Sequence, residues 1–377
     1  MGLRIAILGT RGIPARYGGF ETFAEELSKR LVARGHAVTV YGRRSLGESY
    51  NGPSELYGVQ VRVAPTVAHK YLETPLHAFT SNLDLMRRKF DVGLVCNAAN
   101  SPFAWMIRLR GVKLIVNLDG IERRRGKWNV LGKTWYRLGE LCSVLFAHRL
   151  VADAAVISEY YRKTYRAGTT VIAYGADGSR VASGKTLAEF ALQQRRYLLY
   201  VSRLEPENNA FGVIQAYALV DTDVPLVIVG DAPYSTAYKE RLKRESQHAE
   251  QGSKRRVVFT GYRFGDDYRE LQSNCYLYIQ ATEVGGTHPA LVEAMAFGNC
   301  VVANDTPEHL EVLGDTGMYY GRNDFSELGR KMSELLADPQ RVRALGAHAL
   351  RRASERYTWE KVTDQYEALF SEVCGLR

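Results

Sequence analysis

The sequence predicts an α/β protein: two Rossmann-like, doubly wound domains facing a central cleft, with a final helix that crosses back to the first domain. Three observations lead there. The chain has 377 residues, 46% of them hydrophobic, too long for one ordinary core and apolar enough to fill two. It opens with a strand, a glycine-rich loop, a helix and a second strand, which is how a doubly wound sheet begins. The pattern then restarts near residue 197, after a polar stretch. The expected domains are residues 1–175 and 176–353, with residues 354–377 as the returning helix.

Leu3–Leu8 is rich in Ile and Leu with both faces apolar, as in a central parallel strand. A glycine loop spans Gly9–Gly19. Phe20–Arg34 places Phe23, Ala24, Leu27 and Leu31 at helical spacing, and Gly35 suits the left-handed cap that follows. Strands are expected at Ala37–Tyr41, Val92–Cys96, Lys113–Asn117, Leu150–Ile157 and Thr170–Tyr174. The polar stretch from Ala176 to about Gln194 reads as low-order chain between the halves. Beyond it, strands are expected at Tyr197–Ser202, Pro225–Gly230, Val257–Gly261, Leu277–Gln280 and Cys300–Ala303. Helices include Phe211–Leu219, Pro289–Phe297 and a last amphipathic one, Ser354–Cys374.

No apolar run approaches the ~20 residues that cross a bilayer, and the N-terminus lacks the apolar core and cleavage site of a signal peptide. The five cysteines are odd in number, scattered and without a C-x-x-C pair, which argues against a disulfide framework or a zinc site. A cytoplasmic location is expected, with peripheral contact at the inner face of the membrane as an extension of it. Residues 1–180 hold 27 Lys and Arg against 14 Asp and Glu, whereas residues 181–377 hold 23 against 27. The positive excess in the first half suits anionic lipid or an acidic acceptor; no nucleic-acid partner is expected.

The strongest chemical signal is Glu283–Gly298, EVGGTHPALVEAMAFG. A strand end runs into Gly285, Gly286, Thr287 and His288, and a helix starts near Pro289. Glycines let a phosphate approach the backbone, and a helix N-terminus binds anions. Glu293 lies about one turn into that helix, where a carboxylate can accept hydrogen bonds from ribose hydroxyls. A dehydrogenase is disfavoured, because its second strand would end in an acid and here it ends Tyr41-Gly42-Arg43-Arg44.

This segment resembles the E-x7-E donor motif of retaining family-4 glycosyltransferases. Glu293-Ala294-Met295-Ala296 and Gly298 match its second half, but Gly285 stands where the first glutamate belongs, with Glu283 two places earlier. GGTHPALVEAM, GTRGIPARYGGFETFAEEL and EPENN resemble a subgroup of bacterial polysaccharide rhamnosyltransferases. The resemblance implies the two-domain GT-B fold and transfer of a sugar, with dTDP-rhamnose the expected donor and a UDP-hexose the alternative. No cofactor or metal is implied beyond the nucleotide sugar. The acceptor would be a saccharide or lipid-linked saccharide. A nucleotide-sugar epimerase and a non-catalytic sugar-binding protein are the other classes considered.

The resemblance also assigns roles. Arg203 matches an arginine that faces the diphosphate, and its planar fork suits that task. Asn208 stands where relatives carry a lysine. Gly18 and Gly19, before a helix, present amides to the donor phosphate. Gly261 and Tyr262 lie where relatives hold the nucleobase; Tyr262 either stacks on it or is structural. Asp119 takes the place of a family histidine, as an acceptor-orienting or charge-stabilising group or as a turn aspartate. Arg123, Arg124, Arg125, Trp128 and Trp135 mix cations with indoles, which suits an acceptor or a membrane interface. Asp221-Thr222-Asp223 imitates a metal-binding D-x-D, yet sits in a polar turn before a strand.

Overall fold

The computed structural model describes residues 2–15, 18–46, 52–124, 128–232 and 236–376. The chain divides into two compact units, Met1–Gly175 with Trp359–Arg377, and Ala176–Thr358.

The first unit runs β1 (Arg4–Leu8), α1 (Gly19–Ala33), β2 (Ala37–Ser45), β3 (Glu55–Leu56), β4 (Val59–Thr66), α2 (Glu73–Met86), β5 (Val92–Cys96), α3 (Trp105–Leu109), β6 (Lys113–Asn117), α4 (Val130–Phe146), β7 (Arg149–Ala152), α5 (Ala155–Tyr165) and β8 (Thr170–Val171). Its sheet has the order β3-β4-β2-β1-β5-β6-β7-β8, parallel throughout except for β3 against β4. Ile5, Ala6, Ile7 and Leu8 of β1 are all buried, as a central strand requires. Phe23, Ala24, Leu27 and Leu31 turn α1 onto the sheet, and Gly35 takes the left-handed conformation after it.

The second unit runs α6 (Lys185–Glu189), β9 (Leu198–Val201), α7 (Ala210–Ala218), β10 (Leu226–Val229), α8 (Thr236–Glu250), β11 (Val257–Gly261), α9 (Gly265–Asn274), β12 (Leu277–Gln280), α10 (Pro289–Ala296), β13 (Cys300–Asn304), α11 (Pro307–Leu313), β14 (Met318–Tyr320), α12 (Phe325–Ala337) and α13 (Pro339–Arg356); α14 (Trp359–Cys374) returns to the first unit. Its sheet is all parallel, in the order β11-β10-β9-β12-β13-β14.

Four expectations need correction. The apolar run Leu150–Ile157 is a strand only to Ala152; the chain turns at Asp153–Ala154 and Ile157 faces the core from α5. An apolar run this short does not by itself separate strand from helix. Beyond Val171, Ile172 and Tyr174 are buried but leave the sheet, and the Tyr174 ring packs edge-on against Phe23 at 5.7 Å. The stretch 176–194 is not a loose connection: it carries α6, whose first amides, with that of Gly184, bond the Glu270 carboxylate. The last helix begins at Trp359 rather than Ser354, because Tyr357 ends α13 and its carbonyl accepts the Ala176 amide at 2.7 Å. In α14, Trp359, Val362, Tyr366, Leu369 and Phe370 are buried in the core of the first unit, with the Tyr366 ring 5.2 Å from Phe23.

Candidate functional site

In each unit the strand order reverses at one place: between β9 and β12 in the second unit and between β1 and β5 in the first. Crevices at the carboxyl ends of such strands are where open α/β sheets bind ligands.

In the second unit, the loops after β9 and β12 flank this switch point. Arg203 follows β9 and is half-buried. Its backbone is pinned: its carbonyl accepts the Glu205 amide and the Asn208 side-chain amide, each at 2.8 Å. The loop after β10 presses close beneath. Gly230 has φ +134°, and a Cβ there would lie 1.8 Å from the Ser202 oxygen, so only glycine fits. The Gly230 amide donates to the Gly261 carbonyl at 2.9 Å, and Gly261 itself is left-handed at φ +68°.

Asn208 is 3% exposed, with its amide nitrogen turned inward onto Arg203. The side chain thus braces the turn that carries Arg203. Tyr262 stacks on Phe264 with ring centres 5.8 Å apart and planes 23° apart, at the carboxyl end of β11. The pair offers an aromatic platform there.

After β12 the chain passes through Gly285, Gly286 and Thr287, all buried, into α10, with Pro289 in its first turn and no cap hydrogen bond from the side chain of His288, the N-cap residue. A Cβ on Gly285 would lie 2.5 Å from Cε1 of His288. The His288 ring is 4.9 Å from that of His309, and its Nε2 is 3.4 Å from the Thr282 hydroxyl. His309 donates from Nδ1 to the Asn304 carbonyl at 2.8 Å, and burial pushes its pKa down to about 4, so it stays neutral. Glu293 Oε2 accepts the Tyr268 hydroxyl at 2.6 Å, and Gln272 in turn donates to Tyr268 at 2.9 Å. Burial, and then the Glu293 charge, hold the Tyr268 hydroxyl well above its ordinary pKa, so it remains a donor.

Sequence reasoning missed what holds these groups. Glu283 accepts the Asn323 side-chain amide at 2.7 Å; the Asn323 side-chain oxygen accepts from Asn304 at 2.8 Å and from Asn209 at 3.0 Å. Asn209 and Asn323 both have positive φ, which asparagine tolerates better than most residues. The doubled asparagine after Glu207 was the one local hint. Tyr268 lies 25 positions from Glu293 and no periodicity links them.

In the first unit, the loop after β1 is built on two carboxylates of α1. Glu21 Oε1 accepts the Arg11 amide at 2.8 Å, and Glu25 Oε2 accepts the Ala15 amide at 2.6 Å. Burial raises the Glu21 pKa above the ordinary range, against the pull of that amide. Gly18 and Gly19 open α1, and no side chain caps Gly18. Asp119 follows β6 in the left-handed region at φ +51°. Asn117 fixes it: its Oδ1 accepts the Asp119 amide at 3.2 Å and its Nδ2 donates to Tyr366 of α14 at 2.8 Å. Tyr174 lies 3.4 Å from Asp119 Oδ1.

In the basic, aromatic segment, several side chains have partners within their own unit. Arg123 is spent on Glu140 and on the Tyr160 hydroxyl. Trp135 donates to the Ala99 carbonyl at 3.0 Å, and Trp128 packs over Gly132 with its ring 5.1 Å from Tyr136. Both indoles are half-buried against their own unit. Arg125 lies outside the described residues, and only the backbone of Arg124 is described. Asp223 pairs with Arg196 before β10, at the amino-terminal ends of β9 and β10, opposite the site loops.

Comparison with known proteins agrees with this architecture. Residues 17–180 match the profile of Glycosyltransferase Family 4, and residues 187–352 that of the glycosyl transferases group 1. The GDP-mannose-dependent alpha-(1-6)-phosphatidylinositol monomannoside mannosyltransferase of Mycolicibacterium smegmatis is 26% identical, over 94% of each chain. Sucrose-phosphate synthase from Thermosynechococcus elongatus superposes with a TM-score of 0.82 at 17% identity, over 98% of this chain and 99% of that one. Anabaena HepE in complex with UDP-glucose superposes at 0.79 and 19% identity, over 98% and 100%. With a Glycosyltransferase Family 4 profile in the first half, a glycosyl transferases group 1 profile in the second and two Rossmann-like units, the chain is a glycosyltransferase of GT-B type.

Proposed function

We propose that this enzyme transfers a hexosyl group from a nucleoside diphosphate sugar to a saccharide or lipid-linked saccharide, with retention of configuration at the anomeric carbon. The observation that carries the reading is the pairing, at one switch point, of the Arg203 turn with the Gly285–Gly286 entry to α10 and with Glu293 one turn further on. Arg203 and the α10 N-terminus would take the diphosphate, Glu293 the ribose, and Tyr262 the base. Strands lie about 4.8 Å apart, so β11 is roughly 12 Å from the β9–β12 switch point, which suits the reach from a base to its diphosphate. The glycosidic C–O bond to the diphosphate breaks, the acceptor oxygen bonds to the anomeric carbon on the same face, and the acceptor proton passes to the departing diphosphate. The first unit would take the acceptor, with Asp119 as the candidate to orient it.

The donor we favour is dTDP-rhamnose, from the subgroup-like segments at Gly9–Leu27 and Gly285–Met295; UDP-hexoses come second. The mannosyl relative makes GDP-mannose the competitor to include. A thermal-shift screen over these donors, followed by NMR of the transferred product, tests the reading. An anomeric linkage inverted relative to the donor would overturn retention. Donor conversion without any acceptor would indicate an epimerase instead.

Transfer is expected to survive excess EDTA, because a guanidinium and backbone amides take the place of a metal on the diphosphate. Loss of activity on chelation, restored by Mg²⁺ or Mn²⁺, would show that the leaving group needs an ion.

A further inference from the structure

Helix α4 packs the wrong way round for an ordinary surface helix. Its buried face is small and polar: Gly132, Gly139, Cys142 and Ser143 are among its buried positions. A Cβ on Gly139 would lie 2.4 Å from the Ala98 oxygen, and Ser143 Oγ is 2.8 Å from Ser101 Oγ, so the helix sits tightly on the turn after β5. Its leucines point outward. Leu131, Leu138 and Leu145 are seven residues apart and share one stripe with Leu141; they are 75%, 44%, 64% and 46% exposed, respectively. The neighbouring α3 adds Trp105 and Leu109, 43% and 71% exposed. Arg108 of α3 donates to the Phe146 carbonyl at the end of α4, at 3.1 Å, which ties the two helices to each other. A contiguous apolar patch of this kind on a folded unit marks an interaction surface.

Charge identifies the partner. Arg108, Arg110, Lys133 and Arg137 are exposed on or beside these helices. The one carboxylate within α3 and α4 is Glu140, which is 4% exposed and accepts the hydroxyls of Tyr160 and Tyr165 at 2.7 and 2.6 Å. Among the described residues these four cations form no ion pair, so the face combines leucines with positive charge. A second copy seated on it by two-fold symmetry would set like charges against like charges. An anionic bilayer satisfies both components, apolar side chains at the acyl boundary and cations among phosphates.

We infer that α3 and the outer stripe of α4 dock this protein on an anionic lipid surface, with the leucines rather than Trp128 and Trp135 entering the interface. The inference does not depend on which sugar is transferred or on the acceptor. Co-sedimentation of the full chain with phosphatidylglycerol–phosphatidylcholine vesicles, against pure phosphatidylcholine, is the test. Binding to the anionic vesicles is expected to be about tenfold stronger or more and to weaken with salt. The double substitution Leu138→Glu, Leu141→Glu should keep the melting temperature and the transfer to a short soluble acceptor, and lose about tenfold or more of the vesicle binding. Lys133→Ser with Arg137→Ser should reduce both the binding and its salt dependence. Equal partition onto neutral vesicles would overturn the inference, as would undiminished binding by the leucine variant. So would a wild-type dimer in sedimentation velocity that Leu138→Glu, Leu141→Glu dissociates, since the face would then belong to a second copy.

Discussion

Arg203→Ala is expected to lower kcat on the order of 100-fold or more with a smaller change in KM, by analogy with the loss of one preorganised donor. Charge on the diphosphate grows as the glycosidic bond breaks, so a cation beside it acts more in the transition state than in the ground state. The burden on Arg203 is large because the lysine position of the wider family holds Asn208, whose amide is committed to the Arg203 carbonyl. Arg203→Lys keeps the charge and loses the planar fork, for an expected loss of about 10- to 100-fold. Asn208→Ala should act through the turn and cost less than removal of the guanidinium itself. Steady-state kinetics with the best donor measures all three; normal turnover by Arg203→Ala would mean that the diphosphate is held elsewhere.

Glu293→Ala is expected to weaken nucleotide-sugar binding by about 1.5–3 kcal/mol, the range for a charged hydrogen-bond acceptor, which is roughly 10- to 100-fold in Kd. One oxygen of Glu293 already accepts from Tyr268. That bond sets the carboxylate's orientation, so Tyr268→Phe should weaken the donor by a smaller factor. Calorimetric titration with the preferred nucleotide sugar separates the two, and melting curves show whether either variant has lost its fold. Unchanged affinity in Glu293→Ala would remove it from the ribose site.

The donor-side elements were legible because their signals are local. Two glycines, a proline and a glutamate one turn later lie within sixteen consecutive residues, Glu283–Gly298, directly after β12, and the proposed anion site there rests on the backbone itself. The same holds for the Arg203 turn and for the glycine loop with α1. The returning helix was legible from its periodicity, though its start was not, because the stop at Tyr357 depends on a bond to Ala176, 181 positions away.

By itself the sequence determined the two doubly wound units, the position along the chain of most strands and the motif residues that follow them. Apolar periodicity and glycine placement report directly on local backbone conformation. Only the tertiary structure decided what those residues do to one another. It tied the Asn208 side chain to the Arg203 carbonyl, because burial makes an amide seek the nearest carbonyl. It attached Glu293 to Tyr268 and Glu283 to Asn323, pairings between distant segments that no spacing encodes. It also decided which side of α4 is core. The turn after β5 packs on Gly139 and Ser143, where a larger side chain would clash, so the leucines face outward.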